Sequence, residues 1–164
     1  MTWPEAISIL PKVDWRRNQG EPLALAARSG AHFAFQDSMR STQRKAVLIV
    51  DDDCSVRQVL AQLLSSYGYS VTQAEDGLDA WEKMHGRHTD IVISDLQMPQ
   101  CDGRELCRRI RAEPGMRHVR VIIVTGGEMP ERWQLDCDAL LPKPVLVNAL
   151  LEELERVSSE ALSA

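Results

Sequence analysis

The chain has 164 residues, 44% of them hydrophobic and 26% charged, with a formal net charge of -5. That length suits one ordinary domain with a substantial core, and the composition is that of a globular protein, not a fibrous one. The acidic balance argues against nucleic acid as the main partner, and no window approaches the ~18 apolar residues of a membrane helix.

The charge is unevenly spread. Residues 1–46 carry seven Lys/Arg against four Asp/Glu, a balance of +3, and residues 47–164 carry twelve against twenty, a balance of -8. Before residue 45, Pro4, Pro11, Gly20, Pro22 and Gly30 interrupt every candidate element. Residues 1–44 therefore read as a mostly disordered extension, with at most a helical turn over 23–28. Glu5 stands where a secretory signal needs positive charge, so a cytoplasmic protein is expected. Met39 precedes RSTQRKAVLIV, which would itself serve as a domain start. Cys54, Cys101, Cys107 and Cys137 form no C-x-x-C pair and no metal-like spacing with histidine, so they read as small apolar residues of a reducing compartment.

From residue 46 the pattern is regular. AVLIV (46–50) is a buried strand ending in three acids. Val56, Val59, Leu60, Leu63, Leu64 and Tyr67 recur at helical spacing, and Gly68 stops that helix. Residues 69–73 give a second strand. Residues 77–85 give a second helix with Leu78, Trp81 and Met84 on one side. DIVIS (90–94) is a third strand closed by Asp95, and Gly103, Leu106, Cys107 and Ile110 mark a helix that ends before Pro114. Residues 119–124 form a fourth strand, a short helix covers 130–135, and residues 139–141 form the fifth strand. A last helix over 145–157 carries Leu146, Ala149, Leu150, Leu154 and Val157 on one face. Five strands alternating with five helices predict an α/β domain over 45–160: a doubly wound, five-stranded parallel sheet of the flavodoxin-like kind.

In such sheets ligands bind at the carboxyl ends of the strands. Asp51–Asp53, Asp95, Thr125 and Lys143 all follow strands at that edge. Each is commonplace alone: aspartates cap helices, Thr125 could simply end a strand, and Lys143 could be an ordinary surface lysine. Together they form a set. Converging carboxylates repel without a cation, oxygen donors suit a hard divalent ion, and a hydroxyl and an ammonium suit phosphoryl oxygens.

The motifs then identify a family. VLIVDDD, AEDGLDA, SDLQMPQCDG, IIVTGG and LPKP stand in the order found in bacterial response regulator receivers, and the chain from Ala46 onward resembles that CheY-like family. The resemblance implies that Asp95 is the phosphoacceptor. It implies that Asp51 and Asp52 are the acidic pair, with Asp52 the direct Mg²⁺ ligand and the Gln97 carbonyl a further ligand. It gives Thr125 and Lys143 to the phosphoryl oxygens, and leaves Asp53 as a helix cap. The implied partner is a sensor histidine kinase or a histidine phosphotransfer protein in a two-component phosphorelay, with no nucleic acid or membrane partner. A stand-alone receiver signalling through protein contacts is expected.

The chain departs from the family pattern at Leu140, where the family often has an aromatic, and at Val145, where it often has Phe. The stretch between Thr125 and Lys143 also looks short for the family, and Gln97 and Gly127 occupy the two positions that in the family flank the route of hydrolytic water, where Gly127 offers no side chain. Two other readings compete. A haloacid-dehalogenase-type phosphatase would want a second acid at position 97, which is Gln. A phosphorylation-independent interaction module would keep the fold without the switch.

Overall fold

The computed structural model describes residues 44–127 and 135–160. Its strands are β1 (Ala46–Val50), β2 (Ser70–Ala74), β3 (Ile91–Asp95), β4 (Arg120–Thr125) and β5 (Ala139–Pro142). Its helices are α1 (Cys54–Ser66), α2 (Gly77–Gly86), α3 (Gly103–Ala112) and α4 (Val147–Glu160), with a 3₁₀ turn at Pro114–Met116. The strands are all parallel, in the order β2-β1-β3-β4-β5. The expected doubly wound sheet is therefore present. The extension expected over 1–44 (apart from Arg44), the turn over 23–28 and the helix over 130–135 (apart from Leu135) lie outside the described residues.

The period-two alternation of strand side chains divides the core in two. Leu48, Val50, Val92, Val121 and Ile123 face α2 and α3, meeting Ala80, Met84, Leu106, Cys107 and Ile110. Val47, Ile49, Ile91, Ile93, Ile122 and Val124 face the other way, onto Ala61 and Leu64 of α1 and Leu150, Leu154 and Val157 of α4. Each fully buried Leu or Ile contributes about 1.5–3 kcal/mol relative to exposure. That double coverage explains why the strands read as unbroken apolar runs.

Helix starts follow one device. Asp53, Asp76 and Asp102 stand at the N-caps of α1, α2 and α3. Their carboxylates accept from backbone N–H groups of the first turn: Ser55 at 2.8 Å, Leu78 at 2.8 Å and Asp79 at 2.9 Å, and Glu105 at 2.8 Å. Each such cap stabilises its helix by about 1 kcal/mol. At the other end of α1, Gly68 adopts φ 88°. Its N–H donates to Ser65, and that of Tyr69 donates to Leu64. This Schellman arrangement needs a residue without a Cβ penalty at positive φ.

Several boundaries and faces differ from the sequence reading. β2, β3 and β4 each begin and end one residue later than expected. At β3 the cause is visible: Asp95 remains in the ladder opposite Val124, while Asp90 turns its carboxylate back to accept from the Ala46 N–H at 2.7 Å. α4 starts at Val147 instead of residue 145, and Leu146, expected on its buried face, is 70% exposed. Val145 packs against the core in its place. Val59 and Leu78 are likewise exposed, whereas the small Ala61 and Ala80 are buried. Among the described residues no helix is long and apolar enough to cross a membrane.

Candidate functional site

The strand order reverses direction of growth at β1 and β3, so the crevice beyond their carboxyl ends is where this topology gathers ligand-binding groups. Asp51 follows β1 directly and is 4% exposed. Asp95 ends β3 at 8%, and Thr125 ends β4 at 1%. Asp52 is exposed. Asp51, Asp52 and Asp95 each bring a carboxylate oxygen within 4.8 Å of the others.

Lys143 reaches this group from the end of β5. Its ammonium donates to Asp51 Oδ2 and to Asp95 Oδ2, each at 2.9 Å. Its side chain is placed by the backbone, because the Lys143 N–H donates to the Thr125 carbonyl at 2.7 Å. Burial acts to lower the lysine pKa, but the hydrogen bonds to Asp95 and Asp51 and the charges of both outweigh it, and the group is held above its ordinary 10.5. The remaining Asp51 oxygen accepts from the Asp53 N–H at 2.9 Å. Asp95 Oδ1 accepts a long hydrogen bond, 3.4 Å, from the Gln97 N–H. Thr125 Oγ1 accepts from the Gly127 N–H at 3.4 Å.

Three carboxylates face one ammonium, so the cluster carries excess negative charge at short range. An octahedral Mg²⁺ with oxygens at 2.0–2.1 Å sets neighbouring ligands roughly 3 to 4 Å apart. An all-oxygen set gathered within 4.8 Å and half-open through Asp52 suits a hard divalent cation. A groove of mixed polar and apolar lining, including Asp52, Leu96, Gln97, Met98, Pro99 and Arg104, opens beside it.

The structure brings together Asp51, Asp52, Asp95 and Lys143, with Thr125 at the adjoining end of β4. Gln97 lies in the loop after Asp95, and its amide lies across from Gly127: a Cβ there would stand 3.8 Å from Gln97 Nε2. Asp53 caps α1 and takes no part in the trio.

Sequence reasoning missed the supports of this loop. Arg57, on α1, donates from its guanidinium to the Asp51 carbonyl at 2.6 Å. A Cβ at Gly103 would stand 2.3 Å from the Asp95 carbonyl oxygen, and one at Gly77 would stand 2.5 Å from Cys101 Sγ. The Gly77 N–H donates to the Cys101 carbonyl at 3.1 Å. The signal was present in the two Asp-Gly pairs. In both, the aspartate caps a helix and the glycine lets that helix start press against Asp95 or the loop that follows it.

Comparison with known proteins agrees with the fold. The family described as "Response regulator receiver domain" matches residues 47–155. The chain is 35% identical over 123 residues to "Gliding motility regulatory protein" of Myxococcus xanthus, covering 72% of this chain and 16% of that protein. It is 36% identical over 110 residues to "Response regulator MprA" of Mycobacterium sp. strain KMS, covering 66% of this chain and 48% of that one. The chain thus spans half or less of the length of these relatives. Among solved structures, chemotaxis protein CheY4 of Vibrio cholerae superposes with TM-score 0.66 at 32% identity, over 70% of this chain and 99% of that one. The receiver domain of a signal transduction histidine kinase from Syntrophus aciditrophicus gives 0.67 at 28% identity, over 71% and 91%. Fold, ordered motifs and sequence relationship agree, and the chain belongs to the response regulator receiver domain family of two-component signalling.

Proposed function

We propose that this receiver is switched by phosphorylation of Asp95. The observation that carries the reading is the gathering of Asp51, Asp52 and Asp95 within 4.8 Å, with Lys143 2.9 Å from the carboxylates of 51 and 95. The side chains of Asp51, Asp52 and Asp95, with the Gln97 carbonyl, are the ligands for Mg²⁺, which when bound supplies positive charge to the oxygens of a transferring phosphoryl group.

The chain's own residues do the rest. The Asp95 carboxylate attacks the phosphorus of a phosphohistidine; a P–O bond forms, the P–N bond breaks, and the nitrogen keeps the bonding pair. Lys143 leaves the Asp95 carboxylate for a phosphoryl oxygen, with its charge already in place. The Thr125 hydroxyl, buried next to the site, donates to another oxygen, which favours a conformation a partner can read. The donor is a sensor histidine kinase or a histidine phosphotransfer protein. Output runs through protein contacts and not through nucleic acid, a reading supported by the balance of -8 over residues 47–164. Residues 45–160 are the receiver, and 1–44 an extension of it.

Incubating the chain with acetyl phosphate and Mg²⁺ tests this reading. One phosphoryl mass is expected on the wild type and none on Asp95→Ala. A mass gain that persists in the variant rejects the assignment. The phosphorylation-independent reading is favoured by one observation: Leu140, where an aromatic would couple the site to an output surface, packs into the core beside α2 and α3. A wild type that gains no mass would support it.

A further inference from the structure

Asp51 and Asp52 are neighbours in sequence, and both give a carboxylate oxygen to the acidic trio. In an extended chain successive side chains point to opposite faces. By that alternation Asp51 shares the face of Val47 and Ile49, and Asp95 shares the same face with Ile91 and Ile93. Asp52 would follow Leu48 and Val50 to the other face. The chain instead bends at Asp52, which brings its carboxylate round to the trio. The peptide joining Asp51 to Asp52 is therefore the pivot of the site.

Arg57 holds that pivot. The carbonyl of this peptide, on Asp51, accepts from Arg57 Nη1 at 2.6 Å. A hydrogen bond from a charged donor is about twice as strong as one between neutral groups. The arginine is itself anchored at its main chain, whose N–H donates to the Asp53 carbonyl at 3.1 Å. Asp53 in turn donates its N–H to Asp51 Oδ1 at 2.9 Å. Arg57 lies in the first turn of α1, where a cation opposes the helix dipole, so helix formation alone gives no reason for it.

From this geometry we propose that Arg57 is a positioning residue for the Mg²⁺ site, fixing the peptide between 51 and 52 so that two consecutive aspartates converge on one ion. The role rests on the reading of the trio as a Mg²⁺ and phosphoryl site. Charge and tether predict opposite signs, which makes them separable. Were charge the whole effect, its removal would relieve repulsion of Mg²⁺ and tighten binding. With the tether lost, the pivot turns and binding weakens.

The test is calorimetric titration of the full chain with Mg²⁺, without a phosphodonor, comparing wild type with Arg57→Met, Arg57→Gln and Arg57→Lys. The two neutral variants should each bind Mg²⁺ about tenfold more weakly than wild type. Either one decides the matter if the other fails to fold, which urea unfolding without metal reveals. Arg57→Lys should restore most of the loss, because the contact is a single bond that an ammonium can also make. Neutral variants that bind as tightly as wild type or more tightly, or a lysine variant as weak as they are, overturn the role. One phosphoryl mass on the wild type would in that case leave the phosphorylation of Asp95 standing. A wild type that binds no Mg²⁺ overturns both.

Discussion

The first residue of α3, Gly103, sits against Asp95 so closely that a Cβ would stand 2.3 Å from the Asp95 carbonyl oxygen and 3.1 Å from Ser94 Oγ. The nearest obstacle is backbone, which cannot rotate away.

Gly103→Ala is therefore expected to destabilise the domain by about 1–3 kcal/mol, as overpacking does, and to displace Asp95. Gly86 is the control, because a Cβ there meets nothing within 4 Å and its backbone is not among the positive-φ glycines. Gly86→Ala should stabilise by about 0.4–1 kcal/mol through the unfolded chain's entropy. Urea unfolding of both variants checks the pair, and equal midpoints would contradict it.

Lys143 is the cation that the acidic trio already holds. Lys143→Met removes a positive charge 2.9 Å from Asp51 and Asp95, so Mg²⁺ should bind more tightly to the variant. Phosphoryl transfer should nevertheless slow by about tenfold or more, since a charge on the transferring oxygens is lost. Mg²⁺ titration and the rate of mass gain from acetyl phosphate read the two effects, which run in opposite directions. A variant that loses Mg²⁺ affinity would contradict this account.

The acid limb of the stability curve has identifiable contributors. Burial acts to raise the Asp79 pKa, but hydrogen bonds from Lys83 and from the Glu75 N–H outweigh it and hold the carboxyl below 3.8. Glu105 is held below 4.5, first by the hydrogen bond from Arg109 and then by that from Arg108. A lowered folded-state pKa gives stability that is present above the unfolded value and lost as pH falls through the folded one. Both contributions should therefore be complete at neutral pH and fade progressively below about pH 5. In Asp79→Asn the unfolding free energy should fall less steeply over that acid range than in wild type.

The thiols should divide sharply. Cys54 is exposed, while Cys101, Cys107 and Cys137 are buried. Burial pushes the Cys107 thiol up to about 12, so at pH 8 only on the order of one in ten thousand is thiolate. Iodoacetamide should add one label to the described domain of the native protein, at Cys54. Cys101, Cys107 and Cys137 should react only after denaturant is added, and mass spectrometry of the labelled peptides reads the difference.

The strands were legible because both faces of the sheet are covered, which leaves runs such as AVLIV without a polar residue. The clustering of Asp51, Asp95 and Lys143 was legible for a topological reason: parallel strands all end at the same edge. What the sequence hid depends on contact instead of pattern. Leu146 and Val59 fit an apolar helical face yet are exposed, because the neighbouring Val145 and Ala61 already fill the core. Strand ends drifted by one residue because Asp90 and Asp95 look alike as polar boundaries, though one turns back to Ala46 and the other stays in the ladder. Arg57 gives no local signal, since its partner is a main-chain carbonyl six residues earlier.

The 2.7 Å bond from the Lys143 N–H to the Thr125 carbonyl has a mechanical consequence. Hydroxyl and ammonium ride on one shared mount, formed by the last rung between β4 and β5. Any shift of position 125 toward the acceptor must carry position 143 with it, so the two groups arrive as a single jaw.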